Sequence, residues 1–256
     1  MSVPETSHLL PSSLAIIAAL EREIAPVIRG WKHRDIEHAG RKLRFYESAK
    51  AVESEKAVLV CGGIGAQAAR VAAQAAMKFY RPRGLVSAGL AGGLVSGMRV
   101  GEAFLASLVI DAASGKSYPA RLGTSTLVTA AKISGLEEKR ALALRYSAQA
   151  VDMEAAAVAE VAAQAGLHFF AVKAISDELE FPMPPMDQFV DAAGNVGTAK
   201  FVLHAAIRPG MWPTVFCLAR NSSQAAKALA KLLQHLIENQ DLPANAIKSE
   251  IGSIKP

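Results

Sequence analysis

Residues 57–80 read AVLVCGGIGAQAARVAAQAAMKFY. Ala57–Cys61 is apolar without interruption, as in a strand buried on both faces. Gly62-Gly63-Ile64-Gly65 breaks the run, and an alanine-rich helix follows from 66 to 80. A buried strand, a glycine turn and a helix are the opening half of a βαβ unit.

The alternation extends in both directions. Upstream, 14–20 (LAIIAAL) is another apolar run, and the alternating pattern of 42–49 suggests an exposed strand. Downstream, Pro82 and Gly84 precede a strand opening at 85–88, which ends in Gly89-Leu90-Ala91-Gly92-Gly93. Segments 102–110 and 126–130 read as strands and 136–146 as a helix. A short strand at 150–151 leads into a helix over 154–164, closed by Gly166, and 169–175 is a buried strand ending at Ser176-Asp177. Pro182, Pro184 and Pro185 mark a loop, and helices are expected over 196–207 and 222–238. Strands alternating with helices predict an α/β domain with a mixed, mostly parallel central sheet and helices on both faces. No repeat of 20–50 residues and no dividing linker is visible. We expect a disordered leader over 1–13, one domain over 14–238 and a flexible tail over 239–256.

Composition agrees. The chain has 256 residues, 51% hydrophobic and 20% charged, enough for one large core. Mean hydropathy is +0.22, yet no run approaches the roughly 18 uncharged apolar residues of a spanning helix. The run at 14–20 stops at Glu21-Arg22-Glu23, too short and too acidic in its flank for a signal peptide. Cys61 and Cys217 offer neither a disulfide framework nor a zinc site. The expectation is a cytoplasmic protein. Its net charge of +5 is dispersed, apart from Arg29, Lys32, Arg34, Arg41, Lys42 and Arg44, which acidic residues, His33 and His38 interrupt. A solvated surface, or attraction for an anionic substrate, explains that as well as nucleic acid does, and the plain solvated surface is the favoured reading.

Four segments stand where an α/β sheet builds its site, at the carboxyl ends of strands. Gly62-Gly63-Ile64-Gly65 opens a helix whose amides could face phosphate, although it matches neither a P-loop nor the dinucleotide fingerprint; a plain tight turn fits equally. Ser87-Ala88-Gly89-Leu90-Ala91-Gly92-Gly93 is rich in small residues, as where a chain passes close to a ligand or another backbone. In Val151-Asp152-Met153-Glu154, the acids could cap a helix or accept sugar hydroxyls, with Met153 against the sugar's apolar face. In Val172-Lys173-Ala174-Ile175-Ser176-Asp177, the aspartate ends a buried strand, where burial favours its protonated form and suits a general acid.

Taken in order, AALEREI (18–24), CGGIG (61–65), SAGLAGG (87–93), AVDMEAAAVA (150–159) and AVKAISD (171–177) resemble the purine nucleoside phosphorylase/methylthioadenosine nucleosidase superfamily. PMPPMDQF, GNV and Arg208-Pro209-Gly210 further resemble its hopanoid-associated phosphorylase branch, linked to adenine release from an adenosylated hopanoid lipid. The resemblance implies that Asp177, assisted by Ser176, protonates N7 of a departing purine. Glu154 would bind the ribose hydroxyls with Met153 on the sugar, and Glu23 takes the place of the glutamate that activates water. Ser87 and Gly89 would lie beside the substrate, and Gly62, Gly63 and Gly65 on the phosphate or water side. Departures are Gly62 where nucleosidases usually carry serine, Lys173 where arginine is usual, and a shortened 111–126 segment.

The activity so implied is release of a purine, expected to be adenine, from a nucleoside by phosphorolysis. The alternative is hydrolysis by water that Glu23 activates, and a non-catalytic nucleoside-binding module is a third reading. Phosphate would be a co-substrate; no metal or other cofactor is expected. Arg70, Arg83 or Arg99 could supply the charge a phosphate needs. A homo-oligomer is expected by analogy with the family. Residues 208–236, with Met211, Trp212, Val215 and Phe216 among basic residues, could touch a membrane surface or simply pack on the core.

Overall fold

The computed structural model describes residues 14–48, 57–184, 189 and 208–238. The leader, the tail, the helix expected over 196–207 and Pro185 of the proline-rich loop lie outside them. In chain order the elements are β1 (Leu14–Ala18), α1 (Glu21–Ile24), β2 (Lys32–His38), β3 (Arg41–Glu47), β4 (Ala57–Cys61), α2 (Ala66–Tyr80), β5 (Gly84–Gly93) and β6 (Ala103–Asp111). There follow β7 (Ser117–Pro119), β8 (Ser125–Thr129), α3 (Leu136–Tyr146), β9 (Ala150–Asp152), α4 (Ala155–Gln164), β10 (His168–Asp177) and α5 (Trp212–Glu238).

All ten strands join one mixed sheet. Its centre is parallel: β4 pairs β1, β1 pairs β5, and β5 pairs β10. Beyond β10 the sheet continues antiparallel to β6, then parallel through β8 to β9, and β9 returns antiparallel to β5. Strands β5, β10, β6, β8 and β9 therefore close into a ring, which the chain order alone does not reveal.

The period of two along the buried strands explains the layers. Ala15 and Ile17 of β1 and Val58 and Val60 of β4 face one cluster with α2 and α4, whereas Leu14 and Ile16 of β1 and Leu59 of β4 face another with α5. A strand buried on both faces has no polar side to alternate with, hence its unbroken apolar sequence. α2 presents Ala69, Ala72, Ala73 and Ala76 to the sheet, and these small side chains let α4 pack beside it.

Two expectations change, and one holds for a reason the sequence does not show. The basic cluster is an exposed hairpin: β2, not anticipated, pairs β3 antiparallel, and Asp35 binds both Arg44, at 2.8 Å, and Lys42, at 3.0 Å. β5 keeps its ladder through the glycines in which it was expected to end, to Gly93, because β10 and β9 supply partners that override the weak strand preference of glycine. The last helix starts at Trp212 rather than 222.

Gly62 has a packing reason. A Cβ there would stand 2.8 Å from the Ala68 carbonyl oxygen and 2.9 Å from Ala72 Cβ, so the turn sits directly on the first turns of α2. Gly62→Ser, which restores the residue usual in the resembled nucleosidases, should destabilise the fold by about 1–3 kcal/mol through overpacking. Urea unfolding measures this; an unchanged midpoint would refute it.

Candidate active site

The carboxyl ends of β1, β5, β9 and β10 converge on a cleft of about 560 Å³, roofed by α5 and the segment before α3. Glu23, Met153, Glu154, Ser176 and Asp177 all line it, so the acid expected at the base and the carboxylate expected at the sugar share one cavity.

Asp177 ends β10 and is buried. Its Oδ1 accepts the Ser176 hydroxyl at 2.6 Å, and its Oδ2 accepts the Lys139 ammonium at 2.5 Å. Gly92 of β5 pairs with Asp177 across the sheet. A Cβ at Gly92 would fall 2.9 Å from Oδ2 and 3.1 Å from Lys139 Cε, so only glycine leaves the carboxyl and its lysine this room.

Glu154 stands between β9 and α4. Its Oε1 accepts the Gly65 amide at 2.7 Å and its Oε2 the Met153 amide at 3.3 Å. Neither bond comes from a cation. Burial, and then the nearby Asp152 carboxylate, push its pKa well above the usual carboxylate range, only partly opposed by Lys173. Asp152 itself caps α4: Oδ2 accepts the Ala155 amide at 2.9 Å, as helix-capping predicts. It also binds Lys173 Nζ at 2.8 Å and the Thr129 hydroxyl at 2.7 Å.

Glu23 lies on the short α1 at the end of β1, buried, and its Oε2 has no hydrogen-bond partner. Desolvation first, and the Glu154 charge second, raise its pKa to about 7. Gly89 faces both groups: a Cβ there would lie in ordinary contact with them, 3.4 Å from Glu23 Oε2 and 3.6 Å from Lys173 Nζ.

The remaining candidates are placed differently. Ser87 is fully buried below the cleft, where it accepts Lys173 Nζ at 3.1 Å. Gly62, Gly63 and Gly65 do not line the cavity; Ile64 between them does. The Gly62 and Gly63 amides are spent on the carbonyls of Ala18 and Ala19, at 2.9 and 3.0 Å. The Gly65 amide does meet an anion, but that anion is the Glu154 carboxylate. Nor do the expected arginines reach inward: Arg70 pairs with Glu160 at 2.6 Å and Arg99 with Glu178 at 3.2 Å, and neither these nor Arg83 lines the cleft. Among the described residues lining it, Arg22 is the only arginine. No group of three or more His, Cys, Asp or Glu that could hold a metal occurs among the described residues.

Sequence reasoning missed Lys139, the one buried residue of α3, since a lysine in LEEKRALALRY reads as solvated. It also missed the wall formed by Val215, Leu218 and Ala219 of α5, and it noted Lys173 only as a departure from a pattern.

Comparison with known proteins agrees with this architecture. The family described as "Phosphorylase superfamily" matches residues 13–121 and 103–206. A 5′-methylthioadenosine/S-adenosylhomocysteine nucleosidase of Geobacillus thermodenitrificans is 30% identical over 218 residues, covering 71% of this chain and 91% of the relative. Among solved structures, the 5′-methylthioadenosine nucleosidase of Arabidopsis thaliana superposes with a TM-score of 0.69 at 18% identity, over 93% of this chain and 100% of that one. The futalosine hydrolase of Helicobacter pylori superposes with a TM-score of 0.63 at 15% identity, over 88% of this chain and 98% of that one. The match of the family across most of the chain, together with the nucleosidase relative, establishes that this protein belongs to the phosphorylase superfamily and is an enzyme of its nucleoside phosphorylase/nucleosidase group.

Proposed function

We propose that the protein hydrolyses the N-glycosidic bond of a purine nucleoside, with Glu23 activating water and Asp177 protonating the departing base. The observation that carries this reading is Glu23: a buried carboxyl with an unpartnered oxygen and a pKa near 7 is poised to take a proton at neutral pH. Glu154 and Met153 hold the ribose, the first through its hydroxyls and the second against its apolar face. As the C–N bond breaks, positive charge grows on the sugar and negative charge on the purine. The carboxylates of Glu23 and Glu154 favour the first and the acid at Asp177 relieves the second.

Hydrolysis takes the place of the phosphorolysis expected from the sequence. A phosphate dianion wants arginine forks and free amides, whereas here the glycine-turn amides are already bonded and two carboxyls face the same space. The nucleosidase and hydrolase names of the relatives support the same choice. Incubation of purine nucleosides with and without phosphate should release base at the same rate and yield free sugar; formation of a sugar 1-phosphate would overturn this assignment. Glu23→Gln should lower kcat by about 10²–10⁴-fold, the usual yield of acid–base catalysis. Because Glu23 must be deprotonated to act, kcat/KM should fall as pH drops below about 7, and a rate that stays flat from pH 8 to pH 5 would remove Glu23 as the base.

One observation supports an apolar group on the sugar, as in the adenosylated hopanoid that the resemblance implies. Trp212 and Phe216 are 46% and 71% exposed, next to Val215 and Leu218 of the cleft wall. Such a group leaving the cleft would pass along this face, and the face could rest on a lipid surface. Sedimentation with anionic liposomes should fall for Trp212→Ala/Phe216→Ala; absence of binding by the wild type would discard the idea.

A further inference from the structure

α3 contributes a single buried side chain, Lys139, and that side chain enters the cleft. Its relative exposure is 2%. The ammonium donates to Asp177 Oδ2 at 2.5 Å and to the Glu178 carbonyl oxygen at 2.8 Å. With the Ser176 hydroxyl on Oδ1, both oxygens of Asp177 accept hydrogen bonds. A carboxylate that accepts on both oxygens carries no proton of its own, and of its two donors the ammonium of Lys139 is the acidic one.

We propose that Lys139 is a positioning residue that acts through Asp177, fixing its carboxyl towards the departing base and supplying the proton it delivers. The inference rests on the hydrolytic reading above. As the glycosidic bond breaks, its electron pair moves onto the purine. Lys139 Nζ passes a proton to the Asp177 carboxylate, which delivers it to N7, leaving Lys139 a neutral amine. On the opposite face water loses a proton to Glu23 as its oxygen bonds to the anomeric carbon. Release of that proton to solvent and uptake of one by Lys139 close the cycle, so nucleoside and water become free sugar and neutral base.

Of the other charged groups around the pair, Lys227 of α5 lines the same cleft, and the rest are engaged with one another. Glu178 turns its own carboxylate to Arg99 at 3.2 Å, and Glu180 lies 3.8 Å from Arg140. Lys132, before α3, stands 4.0 Å from Glu138. From β9, Asp152 is bound to Lys173. Each of these charges has a counter-charge elsewhere.

The test is the ratio of wild-type to variant kcat as a function of pH, a ratio that cancels the limb contributed by Glu23. In Lys139→Met the carboxyl must collect its proton from solvent, so acid pH should rescue it. The ratio should rise from within about 5-fold at pH 5 to about 100-fold at pH 8, within the range of acid catalysis, with KM changed less than about 3-fold. Lys139→Arg, which keeps a cation on Asp177, should retain more activity at pH 8 than Lys139→Met. If Lys139→Met does not fold, as judged by its thermal melt, Gly92→Ala decides. It keeps both partners but inserts a Cβ against Oδ2 and Cε, and it should show the same growth of loss with pH. A ratio that does not vary with pH means a structural role and overturns the proposal. Failure of the wild type to release base from any purine nucleoside would instead overturn the hydrolytic reading.

Discussion

The parallel pairing of β5 with β10 is the constraint on which the site depends. It sets Gly89 opposite Lys173 and Gly92 opposite Asp177. A parallel ladder brings strand ends together at one edge of the sheet, and ligands of such sheets collect there. At Gly92 the room is taken by an aspartate and its lysine, and Gly89 faces Glu23 and Lys173. A side chain at Gly92 would force the Asp177 carboxyl and the Lys139 stem apart, which explains a glycine there in so long a strand.

Charge in the cleft is divided unequally, and the division has consequences. Two aspartates, Asp152 and Asp177, each bind a buried lysine. Two glutamates, Glu23 and Glu154, have no ammonium bound to them; Glu23 lies in the field of Glu154, and Glu154 in that of Asp152. Removing one member of a buried pair costs several kcal/mol, because the other is left uncompensated; the lysines are therefore part of the fold as well as of the site. The glutamates bear the opposite burden. Desolvation without a matching cation pushes them towards the neutral form, which makes them sensitive to pH near neutrality.

The glycine turn after β4 illustrates how one local pattern supports two outcomes. Amides at a helix start attract anions whatever the anion is. Here the anion is supplied by the chain itself, Glu154 from the start of α4, 89 residues away in sequence. The turn and the carboxylate thus brace each other, tying α2 to α4 through the same contact that orients a candidate sugar ligand.

Much of this was legible in the linear chain, for definite reasons. Strands buried on both faces have to be apolar throughout, so 14–18, 57–61 and most of 168–177 declare themselves, and residues that end such strands, Asp177 among them, fall at the sheet edge by geometry alone. The α/β class follows from the same logic, whereas Glu23, Glu154, Met153 and Ser176 took their candidate roles from the family resemblance. What tertiary structure alone decided is whatever depends on elements distant in sequence. No local signal marks β2, whose charged residues are paired only by the neighbouring hairpin strand. Nothing in the composition of α3 distinguishes Lys139 from its solvated neighbours until β10 places Asp177 against it. The fate of the glycine amides likewise waited on Ala18, Ala19 and Glu154. Hydrophobic periodicity is written into a sequence because each residue reports its own burial, whereas a proton's owner is settled by which charges the fold brings within a hydrogen bond of each other.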